Sequence, residues 1–107
     1  MEDIALCPKF EAAFELLGKR WTGLIIRVML QGRRRFSDIS GMIPHLSDRM
    51  LVERLKELEA AEIVTRHVYP DMPIRVEYEL TMKGQELAPV LDQVQEWANK
   101  WYQTLHH

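Results

Sequence analysis

FSDISGMIPHLSDRMLVERLKELEAAE, Phe36 to Glu62, runs directly into IVTRHVYPDMPIRVEYEL, Ile63 to Leu80, and these two stretches decide the fold. In the first, Phe36, Ile39 and Ile43 recur at helical spacing until Pro44, which has no N–H to donate and disfavours a further turn. Ser47 then stands where an N-cap belongs. Beyond it Leu51, Leu55 and Leu58 share one stripe, with Arg49, Glu53, Arg54, Lys56 and Glu57 elsewhere. The pattern predicts helices at 36–43 and 48–62 joined by Pro44-His45-Leu46. After Ile63 the period drops to that of a strand: Ile74, Val76, Tyr78 and Leu80 alternate with Arg75, Glu77 and Glu79. An earlier strand, Ile63 to about Tyr69, reaches it through Pro70-Asp71-Met72-Pro73, so 63–80 reads as a hairpin.

Two helices across a tight turn, followed at once by a hairpin, are the element order of a winged helix-turn-helix. The expected class is mainly α with a small β-hairpin wing (α+β), the helix-turn-helix at about 36–62 and the wing at about 63–80. In such a unit the second helix points its N-terminal side chains into the major groove, and the hairpin lies along the backbone or the adjacent minor groove. Those side chains are Ser47, Asp48 and Arg49, with Glu53 one turn on. Each has a plainer reading: Ser47 as a cap, Arg49 as a solvated helix charge.

Upstream, Pro8 suits the first position of a helix over 8–17, in which Phe10, Ala13, Phe14 and Leu17 recur until Gly18. A second helix, about 21–30, is apolar on most faces and should be buried. The triplet Arg33, Arg34 and Arg35 then connects it to the helix-turn-helix, either as a solvated run or as phosphate contacts; Arg75 near the wing tip poses the same choice. Downstream, a last helix is expected at 85–105, with Leu87, Leu91, Val94, Ala98, Trp101 and Leu105 at alternating spacings and Val90 and Trp97 widening the stripe. At about 1.5 Å per residue this face exceeds about 25 Å. One winged-helix core cannot cover it together with the face of the first helix. The surplus reads as a homodimer interface built from Phe10, Phe14, Leu87, Leu91, Val94, Trp97 and Trp101, the alternative being a last helix folded back on its own hairpin.

The 107 residues suit one domain over 1–107. A net charge of −2 argues mildly against a nucleic-acid partner, but the charge is uneven: Leu16 to Ser37 holds no acid, while Lys19, Arg20, Arg27, Arg33, Arg34 and Arg35 are all basic. No apolar run approaches the roughly 18 residues of a membrane span. Met1-Glu2-Asp3 is acidic where a secretory signal is basic, so the expected compartment is the cytoplasm, with no membrane partner. His45, His67, His106 and His107 show neither dyad nor ligand spacing; no metal or other cofactor is implied, and no enzyme is expected. A winged helix used only for protein contact is the remaining alternative, separable by salt dependence.

Cys7 is the one cysteine, so it has no intrachain partner. Placed just before Pro8, it falls at or next to the N-cap of the first helix, where free N–H groups and Lys9 favour a thiolate. The residues alone leave two readings open, a reactive thiol or a small apolar group filling the interface.

Cys7-Pro8, Leu17-Gly18-Lys19-Arg20-Trp21, Arg35-Phe36, Leu46-Ser47-Asp48-Arg49-Met50-Leu51, Arg54-Leu55-Lys56-Glu57-Leu58 and Tyr78-Glu79-Leu80-Thr81-Met82-Lys83-Gly84 follow in order. Together they resemble the HxlR family of bacterial regulators, a MarR-like branch of the winged helices, over almost the whole chain. Within that family the sequence is similar to thiol-based repressors that sense quinones, diamide-like electrophiles and oxidants. The resemblance implies a homodimer joined by the helices at both ends and bound to double-stranded DNA through Ser47 to Arg49. A two-fold dimer fits an inverted-repeat operator. It further implies a sensing role for Cys7. Relatives with additional cysteines near the C-terminus differ from this sequence, which has none there. Cys7 would then react with Cys7 of a second copy, with a small thiol, or with a quinone.

Overall fold

Over residues 6–103, described by a computed structural model, the periodic segments become helices α1 (Pro8–Leu17), α2 (Thr22–Met29), α3 (Phe36–Met42) and α4 (Asp48–Ala60). Between α2 and α3 lies β1 (Arg34–Arg35); after α4 come β2 (Val64–Tyr69), β3 (Arg75–Leu80), α5 (Met82–Gln85) and α6 (Ala88–Trp101). The sheet is antiparallel in the order β1-β3-β2. Val64 faces Leu80 and Tyr69 faces Arg75 across the hairpin, while Arg34 pairs with Tyr78 on the opposite edge of β3. Helix-turn-helix and wing are thus present in the expected order.

The core lies between α2, α3, α4 and the base of the sheet. Ile25, Ile26 and Met29 enter from α2, Ile39 from α3, Ile43 and Leu46 from the turn, and Ile63, Val64 and Leu80 from the sheet. Leu51, Leu55 and Leu58, spaced four and three residues apart, fall on the single face of α4 that meets them. Each such side chain contributes about 1.5–3 kcal/mol when taken fully out of water.

The exit from the wing is pinned by hydrogen bonds. The Thr81 N–H donates to the Ile63 carbonyl at 2.9 Å, its hydroxyl donates to the Glu62 carbonyl at 2.6 Å, and the same oxygen accepts the Gly84 N–H at 3.1 Å as the cap of α5. This brings α5 so close to the sheet that a Cβ on Gly84 would stand 2.5 Å from the Ile63 carbonyl oxygen, so only glycine fits.

Three expectations change. The connector at Arg33 to Arg35 contains a strand, too short for any periodicity to reveal. The last helix is not continuous from residue 85: Pro89 has no N–H for the Gln85 carbonyl, so α5 stops at Gln85 and α6 restarts at Ala88. Its expected end at Leu105 lies outside the described residues. Ile74, expected on the buried face of its strand, is exposed ahead of β3, because the wing tip extends beyond the body that could cover it.

The molecule is elongated, 64 × 35 × 23 Å with a radius of gyration of 16.0 Å, against the roughly 13 Å of a compact chain near this length. The terminal helices account for this shape: neither α1 nor α6 contains a buried residue.

Candidate nucleic-acid interface

Helix α4 begins at Ser47, whose hydroxyl oxygen accepts the Met50 N–H at 3.1 Å. This is the cap reading of Ser47. Asp48 accepts from the Ser40 hydroxyl at 2.8 Å, so its carboxylate fastens α4 to α3 across the turn. Arg49, next along, is exposed and has no hydrogen-bond or ion-pair partner among the described residues. The three residues expected to read DNA are therefore together at one helix end, and only Arg49 has its side chain free. The α4 N-terminus adds the positive end of the helix dipole.

The other half of α4 is held to the loop between α1 and α2. Lys19 Nζ donates to Glu57 at 2.8 Å, Arg54 donates to the Arg20 carbonyl at 2.9 Å, and Arg54 and Glu57 pair at 3.1 Å. The hydrogen bond from Lys19, reinforced by Arg54, holds the Glu57 carboxyl below the ordinary carboxylate range. Helix α4 is thus tied to the loop that follows α1.

Arg33, Arg34 and Arg35 take three different positions. Arg33 donates to the Tyr69 hydroxyl and to Glu79 at 2.9 Å, and lies 3.7 Å from Glu77. His67 Nε2 reaches the same Glu79 carboxylate at 2.9 Å, and the hydrogen bonds from His67 and Arg33 hold that carboxyl below its ordinary range. Arg33 thereby braces both strands of the wing. Arg34 donates to the Gln31 side chain at 3.1 Å, and its Nε is buried without a partner. Arg35 precedes α3, with its backbone N–H donated to Asp38 at 3.1 Å and its side chain exposed. Arg75 pairs with Glu77 at 3.3 Å and lies 4.4 Å above the Tyr69 ring at the base of the wing tip. Sequence reasoning named Lys19, Glu57, His67, Tyr69 and Glu79 but gave none of them these partners. Alternation along the strands placed Glu77 and Glu79 on one face but could not say which cation they would meet.

On the far side, the stripe assigned to a dimer divides. Leu87 and Leu91 are half-buried and pack on this chain's own core. Val94, Trp97 and Trp101 stay exposed, the tryptophans at 56% and 65%. Phe10 and Phe14, with ring centroids 4.9 Å apart, are exposed at 65% and 57%. Cys7 is the N-cap residue of α1 and is exposed; its carbonyl accepts the Glu11 N–H at 3.1 Å. Cys7 precedes Phe10 and Phe14 by three and seven residues, at the start of the helix that carries them. Among the described residues there is no cluster able to hold a metal ion, and no helix long and apolar enough to cross a membrane.

A tight-turned helix pair whose second helix presents a free arginine beside a β-hairpin defines a winged helix-turn-helix of the DNA-binding regulator class. Residues 16–106 match the HxlR-like helix-turn-helix family, and the chain belongs to that family. It is 53% identical over 96 residues to the HTH-type transcriptional regulator YodB of Bacillus subtilis, covering 90% of this chain and 86% of that one. The regulator YvaP of the same organism is 48% identical over 101 residues, 94% of each chain. The fold matches the reduced form of YodB with a TM-score of 0.82 over 91% of this chain and 95% of that one, at 52% identity. It matches quinone-bound YodB at 0.79, with 51% identity and coverage of 90% and 100%.

Proposed function

We propose that the protein is a homodimeric cytoplasmic repressor that binds an inverted-repeat operator through α4 and the wing and releases it when Cys7 is modified. The observation that carries this reading is the arrangement of α1. This helix carries the exposed Cys7 at its N-cap and the exposed Phe10 and Phe14 along its length, while the loop that follows it is tied through Lys19 and Glu57 to the helix that carries Arg49. Chemistry at Cys7 therefore acts on the helix that sets the spacing of the two reading helices. The resemblance to YodB, whose structure is known in quinone-bound and diamide-treated forms, supports an electrophile as the trigger.

In the dimer, Val94, Trp97 and Trp101 of α6 pack with Phe10 and Phe14 of α1 against a second copy, and Leu87 and Leu91 anchor α6 to its own body. Arg49 contacts a base or phosphate, Arg34, Arg35 and Arg75 contact phosphates, and Arg33 acts by holding the wing in place. Ser47 and Asp48 fix the start of α4, and the Ser47 backbone stays open to a phosphate.

The Cys7 sulfur adds to a quinone ring carbon, the thiol proton passes to one quinone oxygen, and the hydrogen of the attacked carbon moves to the other oxygen to leave a hydroquinone thioether; no further oxidant is needed. Diamide instead takes two electrons and two protons from a pair of thiols, leaving a hydrazine and a disulfide, either between two copies of Cys7 or between Cys7 and a small thiol. The first disulfide requires Cα atoms within about 7 Å.

The test treats wild type and Cys7→Ser with benzoquinone or diamide and measures binding to the selected operator. Release by wild type alone is expected; equal release by both, or by neither, returns Cys7 to a packing role. Binding that is insensitive to salt between about 50 and 200 mM would instead favour a protein-contact module.

A further inference from the structure

We propose that Val52 and Glu53 determine sequence specificity, Val52 by packing on the 5-methyl group of a thymine and Glu53 by accepting from the N4 amino group of a cytosine in each half-site. The proposal rests on the reading of α4 as the DNA-reading helix. Ser47 and Asp48, at the start of that helix, already hold the Met50 N–H and the Ser40 hydroxyl, which anchors the helix start. The burden passes one turn along. Arg49, Val52, Glu53 and Lys56, at spacings of three, four and seven residues, share the exposed face opposite Leu51, Leu55 and Leu58.

Val52 and Glu53 stand out on that face. Val52 is an apolar side chain 39% exposed among charges. It borders the groove between α4 and the sheet, lined also by Leu55, Lys56, Glu59, Arg66 and Tyr78, in which Lys56 and Arg66 are the cations able to meet phosphates. Glu53 stands between Arg49, four residues before, and Lys56, three after, and forms an ion pair with neither among the described residues. A carboxylate on a DNA-facing surface is repelled by phosphates and is accommodated where it meets a base donor. In the major groove the cytosine amino group is that donor, and the thymine methyl is the apolar feature a valine fits.

The experiment selects bound duplexes from a random pool with wild-type protein and then replaces each thymine of the selected site, one at a time, by deoxyuridine. Wild type should lose about fourfold in affinity at one thymine per half-site, the worth of one buried methyl group. Val52→Ala should bind the thymine and uracil duplexes alike at that position. Selection with Glu53→Gln should shift one cytosine toward adenine, the base that a glutamine amide pairs with. Circular dichroism checks that both surface variants are folded, and the uracil series on wild type needs no variant at all. Salt-sensitive selected binding in which wild type tolerates uracil everywhere, or in which Glu53→Gln selects the wild-type sequence, overturns this proposal alone. Failure to enrich any duplex overturns it together with the DNA-reading role of α4.

Discussion

Helices α4 and α6 carry the same kind of pattern, an apolar stripe at alternating spacings of three and four, and the molecule uses them in opposite ways. Leu51, Leu55 and Leu58 of α4 are at most 2% exposed, whereas Val94, Trp97 and Trp101 of α6 are all more than half exposed. Helix α4 passes between α2, α3 and the sheet, so its stripe finds partners within the chain. Helix α6 restarts at Ala88, touches the body through its cap Leu87 and through Leu91, and then leaves it behind. A hydrophobic stripe shows that a helix requires a partner; it does not show whose residues supply it.

Removing a side chain from the α4 stripe should have the largest effect. Leu58→Ala, at a fully buried site, should lower unfolding free energy by about 2–5 kcal/mol, read from urea denaturation. A loss under about 1 kcal/mol would show that the α4 stripe is not the anchor of the core. The matching change in α6 should spare the fold and dissociate the proposed dimer: each of Trp97→Ala and Trp101→Ala should cost about 2 kcal/mol or more of association. Together they should give monomers of native circular dichroism in sedimentation experiments, and an intact dimer would place the interface elsewhere.

The polar faces sharpen the contrast at smaller scale. Arg49→Ala should weaken binding to the selected operator by about 1–3 kcal/mol without altering stability. Arg34→Ala should weaken binding to all duplexes alike, and equal loss on specific and random DNA for Arg49→Ala would make Arg49 a phosphate contact. The smallest effect concerns Glu57, which Lys19 and Arg54 hold in its charged form. Because its carboxyl titrates lower in the folded than in the unfolded chain, its contribution is present above the unfolded value of about 4.3 and fades as pH falls through the folded value. Urea midpoints should therefore fall from pH 6 toward pH 3 less steeply in Glu57→Gln than in wild type; parallel profiles would show that Glu57 does not couple α4 to the α1–α2 loop.

Local spacing was enough to reveal most of the fold. The stop at Pro44, the cap at Ser47, the leucine stripe of α4 and the alternation from Ile74 to Leu80 each depend on neighbours within a few residues, where backbone geometry fixes which side chains share a face. Cys7 at the start of α1 was legible for the same reason, as was Arg49 on the exposed side of α4. The break before α6 was written in Pro89, although the surrounding apolar period obscured it.

What only the tertiary structure decided involves residues far apart in the chain. Arg33 looked equivalent to Arg34 and Arg35, yet it alone meets Tyr69 and Glu79, 36 and 46 residues away. Strand β1 exists because β3 offers it an edge; two residues have no period of their own to announce it. The stripe of the last helix likewise divides between Leu91 and Val94, where the chain's own core ends. Periodicity fixes the direction of a side chain about its helix, but the surface waiting in that direction is set by where the other elements have packed.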